Sequence, residues 1–186
     1  MKMPENHQRK NIRKENHDYS KPGGYFITIC THNDSYLFGN IIDGKMILND
    51  PGKMIKKHWN ELPNRFQNII VDEYMVMPNH FHGILNITPS NANAIGIGDI
   101  VGAFKSLTTN EYITNVKSKG WRPFTKKLWH WNYFDHIIRN EDEYNEITKY
   151  IHKNPQNWQL DINNNSSKEN LLRESHEIFA KKIWMV

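Results

Sequence analysis

The 186-residue chain holds one cysteine, Cys30, so it can form neither an internal disulfide nor a cysteine-built zinc site. No run approaches the ~20 consecutive apolar residues that a membrane helix needs, and the mean hydropathy of −0.76 agrees. The opening stretch, Met1 to Ser20, is basic and polar and lacks the apolar core of a secretory signal, so a cytoplasmic protein is the expectation. Internal repeats are absent. The only biased stretch is Asp161-Ile162-Asn163-Asn164-Asn165-Ser166-Ser167, which reads as a linker.

What is present suits one compact domain with a tail. Aromatic residues make up 12% and hydrophobic residues 38%, enough to build a core, which excludes wholesale disorder. The balance of 24 Lys+Arg against 20 Asp+Glu gives a net +4, a mild lean toward an anionic partner. Its placement says more. Lys2, Arg9, Lys10, Arg13, Lys14 and Lys21 crowd the start, either as a solvated arm or as an arm lying on phosphates. We therefore divide the chain into a basic arm over 1–20, a domain over 21–158, and a linker with a tail helix over 159–186. In that tail, Leu172, Phe179 and Ile183 recur at i, i+7 and i+11, so it should dock.

Within the domain, Gly24 to His32 is β-branched and aromatic with apolar side chains on both faces, as in a strand buried inside a sheet. Asp43-Gly44 between two apolar runs predicts a hairpin over 41–48. Asp50 and Pro51 open a helix as N-cap and first residue, Ile55, Trp59 and Leu62 share one face, and Pro63 closes it. Two strands, 69–77 and 80–87, flank Pro78-Asn79. Asp99 caps a helix reaching about Lys117. A strand is expected over 128–138, and Asn140 with Glu143 starts a last helix that ends before Pro155. The order β, hairpin, α, β, β, α, β, α predicts an α+β fold: an antiparallel sheet with helices on one side, around a ferredoxin-like βαββαβ core.

Chemistry concentrates in two segments. In Met77-Pro78-Asn79-His80-Phe81-His82-Gly83-Ile84, strand alternation turns His80 and His82 to the same face, where two imidazoles can share one metal ion. The bland alternative is a pair of polar residues on a solvated sheet. Gly83 allows close approach of another backbone or a ligand. In Lys149-Tyr150-Ile151-His152-Lys153-Asn154-Pro155, Tyr150 and Asn154 are four apart and stack on one helix face, at the margin of the apolar stripe of Ile147 and Ile151. Tyr150 is read either as core packing with a wet hydroxyl or as a nucleophile toward a phosphodiester. Asn154 offers an oxygen to complete a His80, His82, Asn154 ligand set, with Lys149 and Lys153 flanking it. A phenol of pKa ~10 is a weak nucleophile at neutral pH, and a divalent cation polarising the phosphate would compensate. Imidazole ligands suit manganese better than magnesium, though either serves.

These two segments, together with Gly24-Tyr25-Phe26-Ile27-Thr28-Ile29-Cys30-Thr31 and Tyr133-Phe134-Asp135-His136-Ile137-Ile138-Arg139-Asn140, resemble the single-tyrosine HUH transposases. The match is nearest to the REP-associated tyrosine transposases and covers about residues 20–158. The resemblance implies a metal-dependent endonuclease and strand transferase acting on single-stranded DNA next to a hairpin. His80 and His82 match the metal pair, Tyr150 the nucleophile that joins a 5′ phosphate, and Asn154 the third ligand, where others of the class carry Gln or Glu. It further implies Lys105, in Phe104-Lys105-Ser106-Leu107-Thr108, as a holder of backbone phosphate, against a plain solvated lysine on a helix. His136 recurs in the family as a phosphate contact or a strand-end support. Trp121, Arg122, Trp129 and Trp131 interleave aromatic and basic residues as base stacking requires, with core packing expected for at least two of the tryptophans. In dimeric relatives the tyrosine helix is contributed in trans, so a homodimer is an open expectation. A non-catalytic protein that binds DNA hairpins is the alternative function. A replication initiator or relaxase of the same class would need additional domains for which 186 residues leave no room.

Overall fold

A computed structural model describes residues 18–90, 95–161 and 163–164. The tail helix and nearly all of the basic arm lie outside them. Strand β1 (Gly23–Cys30) leads to a hairpin of β2 (Gly39–Ile42) and β3 (Lys45–Leu48), then helix α1 (Asp50–Arg65). Strands β4 (Ile69–Val76) and β5 (His80–Ile87) follow, then α2 (Ile97–Lys119), β6 (Phe134–Ile138) and α3 (Glu141–Lys153). A 3₁₀ turn at Trp158–Leu160 comes after α3.

The four-stranded sheet is antiparallel throughout, in the order β4-β5-β1-β6, which is the strand order of the ferredoxin-like core. The central pair β1 and β5 is apolar on both faces, as expected of a strand covered twice. On one face Tyr25, Ile27, Ile29, Phe81 and Leu85 meet Ile55, Trp59 and Leu62 of α1 and Ile100 and Phe104 of α2. On the other, Phe26 and Ile84 meet Ile147 and Ile151. The helices are therefore not all on one side as expected: α3 covers the second face. Its short stripe of two isoleucines leaves the end of that face, beyond Ile84, to polar side chains.

Local signals explain most boundaries. Asp43 and Gly44 take positive φ (49° and 68°), the hairpin turn their pairing predicts. The hairpin stands as its own two-stranded sheet. Asn49, not Asp50, caps α1, its Oδ1 accepting from Gly52 N–H at 2.9 Å. Pro63 sits inside the last turn rather than ending the helix, because only two helical residues follow it. Helix α2 starts at Ile97 behind Gly96, so Asp99 lies in the first turn, where its charge suits the dipole, instead of capping. Gly120, at φ 68°, closes it in the left-handed conformation. The strand expected over 128–138 shrinks to Phe134–Ile138. Residues 130–132 turn their carbonyls to the Lys105 ammonium (3.0, 3.3 and 3.0 Å), and only a Thr31–Trp129 bridge continues the ladder. Asn140 caps α3 as predicted, accepting from Glu143 N–H.

Gly83 admits neither backbone nor ligand. It faces the α1 side, and an added Cβ would meet Trp59 Cζ2 at 2.7 Å and Phe81 Cε1 at 2.8 Å. Gly83→Ala should cost about 1–3 kcal/mol through overpacking, read as a lower urea midpoint at unchanged slope; an unaltered midpoint would show that the indole yields freely.

Burial pushes the Glu143 carboxyl up, but the Arg139 N–H, the His136 ring and the Arg139 charge outweigh it and hold it below the ordinary value. A carboxyl depressed by folding stabilises above its unfolded pKa and loses that contribution as pH falls through its folded one. Glu143→Gln should thus lower stability by about 1–2 kcal/mol at pH 7. The gap to wild type should narrow on acidification, as measured by urea unfolding at several pH values.

Candidate active site

The pairing of β1 with β5 sets Thr28 opposite His82 and Cys30 opposite His80. Both imidazoles point to the face that α3 covers, and both are buried, with ring centroids 4.5 Å apart. Each ring is held from behind. His82 Nδ1 lies 2.7 Å from Thr28 Oγ1. His80 Nδ1 lies 2.8 Å from Asn79 Oδ1. Asn79 spends its amide hydrogens on the carbonyls of Asn163 (2.6 Å) and Asp34 (3.4 Å), so its oxygen must be the group facing His80. His80 Nδ1 therefore carries the proton, and Nε2 presents a bare lone pair. Burial pushes the His80 pKa down to about 3, the neighbouring Asn154 pulling weakly the other way, so the ring is neutral at pH 7.

That lone pair faces other acceptors. Asp161 Oδ2 stands 3.9 Å from His80 Nε2, while Asp161 Oδ1 is occupied by Asn163 N–H at 2.7 Å. The Asn154 amide presents Nδ2 to His82 Nε2 at 3.4 Å. Among the described residues, six buried side-chain polar atoms lack a hydrogen-bond partner, and three of them gather here: His80 Nε2, Asn154 Oδ1 and Asp161 Oδ2. Three buried acceptors with no donor between them are costly unless a cation fills the gap. His80, His82 and Asp161 offer ligand atoms within 4.8 Å of one another, a set that could hold a metal ion.

Tyr150 borders this cluster from α3 of the same chain. Its ring lies edge-on to His82 (centroids 5.3 Å apart) and to Phe26 (6.1 Å), partly buried rather than half out toward solvent. Burial first, and the Asp161 charge second, push the phenol pKa above its ordinary value, with Asn154 partly offsetting them. Trp158 roofs the site, its ring 5.9 Å from His80 and 5.7 Å from Tyr36.

The structure thus gathers His80, His82, Tyr150 and Asn154, as the spacing predicts. Asp161 is the member that the sequence reading missed. It was taken as the first residue of a linker, yet it is fully buried, and Asn164, also buried, donates to Trp158 O at 2.8 Å. The available signal was Trp158 and Leu160 just upstream, which keep the chain against the body.

The remaining candidates lie elsewhere. Lys105 is not a free phosphate holder: it donates to the carbonyls of His130, Trp131 and Asn132, and burial pushes its pKa down to about 8. His136 is buried, 2.7 Å from Glu143 Oε1, and ties β6 to the start of α3. Lys149 and Lys153 are exposed on α3, the former 3.2 Å from Glu146. Arg122 is exposed, and its carbonyl accepts from Tyr112 O–H. Trp129 is core, and Trp121 packs on Tyr112, as expected of two of the tryptophans. Trp131 is 67% exposed.

Fold and centre together define an antiparallel α+β domain carrying a buried His–His–Asp cluster beside a tyrosine. A family model described as "Transposase IS200 like" matches residues 43–154. The chain belongs to this IS200-like transposase family, whose members are DNA-processing enzymes. The matched span includes His80, His82, Tyr150 and Asn154 and stops short of Asp161. A Haemophilus influenzae protein, named only as an uncharacterized protein, is 36% identical over 173 residues, which span 83% of this chain and 92% of its own. Among solved structures, a REP-associated tyrosine transposase bound to a REP hairpin aligns with a TM-score of 0.55 at 16% identity, over 92% of this chain and 87% of that one, a likeness of fold. No helix among the described residues is long and apolar enough to cross a membrane.

Asn79→Ala removes the acceptor behind His80 and the anchor of Asn163 together. Manganese affinity, measured by isothermal titration, should fall about 10–100-fold, the usual cost of losing an outer-shell partner. Wild-type affinity in the variant would contradict the positioning described.

Proposed function

We propose that the chain is a metal-dependent nicking and joining enzyme for single-stranded DNA beside hairpins. The observation that supports this best is the buried acceptor cluster of His80, Asp161 and Asn154 with the Tyr150 ring at its edge. Family membership and the hairpin bound to the structural relative point the same way.

In this reading Tyr150 Oη attacks the phosphorus, the bond to the 3′ oxygen breaks, and the chain becomes joined to the 5′ phosphate. The phenol loses its proton and the departing 3′ oxygen gains one, so a 3′ hydroxyl is released and no net charge is created. The phosphotyrosine link keeps the energy of the bond it replaced, which makes the step reversible and suits rejoining. His80, His82 and Asp161 would hold a divalent cation, with Asn154 able to turn its oxygen inward. When bound, that ion supplies polarisation of the phosphate and offsets the Asp161 charge that holds the phenol protonated. Two imidazoles with one carboxylate suit manganese well. The exposed Lys149 and Lys153 on either side of Tyr150 would meet neighbouring phosphates.

A labelled hairpin oligonucleotide with a single-stranded flank, incubated with manganese and run on a denaturing gel, should yield a protein–DNA adduct for wild type. Tyr150→Phe should yield none while binding the DNA within about twofold. No adduct over a range of hairpins, with binding intact, would leave a non-catalytic hairpin-binding protein as the better description.

A further inference from the structure

Outside the cluster, a groove of about 460 Å³ runs between α2 and the segment from Phe124 to Trp131. Lys105, Lys126 and Lys127 line it, no Asp or Glu does, and Phe124 and Leu128 form part of its wall. Trp131 stands at its margin, 67% exposed, with Lys127 Nζ 4.8 Å from its ring centroid. The loop that presents them is built, not slack. Lys126 adopts a left-handed φ of 64°, Lys127 N–H donates to Thr125 O at 2.8 Å, and the three carbonyls bound by Lys105 fix residues 130–132. An exposed indole beside two cations, on a held loop, is the composition of a platform for a stacked base and its phosphates.

The groove also adjoins the cluster. His130 N–H donates to Cys30 O at 2.8 Å, and Cys30 is the register partner of His80. Two inter-strand spacings, ~10 Å of backbone, therefore separate His130 from His80. One short nucleic-acid strand spans that distance.

We propose that this groove binds an unpaired stretch of the DNA strand, one base stacking on Trp131 while Lys126 and Lys127 meet the flanking phosphates. The proposal rests on the single-stranded DNA substrate argued above and names a subsite for it. Duplex DNA would offer phosphates to the lysines but no free base face to the indole, so the geometry favours an unpaired strand. Lys105, which the sequence suggests as a phosphate ligand, acts here as the residue that positions the platform.

The test uses the full chain with EDTA present, so that chemistry is silent, and a fluorescein-labelled 12-mer of oligodeoxythymidine, since stacking tolerates any base. Trp131→Ala should weaken binding about tenfold, and Trp131→Phe should stay within about threefold of wild type. Lys126→Ala with Lys127→Ala should reduce the slope of log affinity against log salt by about one. A 12-base-pair duplex should bind wild type and Trp131→Ala alike. Equal oligothymidine affinity in wild type and Trp131→Ala, or an equal loss on the duplex, overturns the proposal. Adduct formation at Tyr150 is scored separately with the hairpin and manganese. Its absence sinks the nicking reading alone, and an unchanged oligothymidine affinity beside a normal adduct sinks the groove alone.

Discussion

The register between β1 and β5 is the constraint on which the rest depends. A shift of one residue would turn His80 and His82 into the apolar layer with α1 and α2, and Phe81 out to the face that α3 covers. The register is held from both sides. Trp59 occupies the space left by Gly83, and Ile27 and Phe81 belong to the same core as Phe104. The opposite face is fixed by Phe26 and Ile84 against α3. Positions of the two histidines are thus determined by the packing of residues that never touch them.

The cluster is closed by a ring of polar contacts. His80 Nδ1 meets Asn79 Oδ1, Asn79 Nδ2 meets Asn163 O, Asn163 N–H meets Asp161 Oδ1, and Asp161 Oδ2 returns toward His80 Nε2. Every link except the last is a hydrogen bond; the last is two acceptors 3.9 Å apart. Burial presses each titratable neighbour toward its neutral form, His80 down to about 3 and Cys30 up to about 12, the latter helped by Asp34 and Asp161. A polar network so complete on one side and so incomplete on the other is organised to receive a positive charge rather than to stabilise the fold.

Much of this was legible in the sequence because its signals are short-range. Strand alternation puts His80 beside His82, and helical spacing puts Tyr150 above Asn154. Asp-Gly and Asn140 mark their turn and cap. Asp161, Asn79 and the placement of α3 were not legible, for one shared reason: each depends on a contact between segments far apart in the chain. Asn79 reads as a turn residue next to a proline, and only its bonds to Asn163 and Asp34 reveal what it orients. Lys105 shows the same limit from the other direction. Its charge and helix position suggest an outward phosphate ligand, yet three carbonyls of a distant loop already claim its hydrogens.

A nucleophile held protonated by its surroundings poses a chemical tension, and Asp161 sits at the centre of it. The carboxylate that would bind a cation is the same charge that, after burial, raises the Tyr150 pKa. Without a compensating positive charge the phenol is a poor nucleophile; with one, the penalty is relieved where the phosphate would lie. Reactivity and metal occupancy are coupled through one side chain in the reading offered here. That side chain lies beyond the span matching the family model, carried in by Trp158 and the Asn163 turn. The segment after α3 therefore belongs to the chemistry of the domain, and its polar composition reflects a set of inward hydrogen bonds, not a passage into solvent.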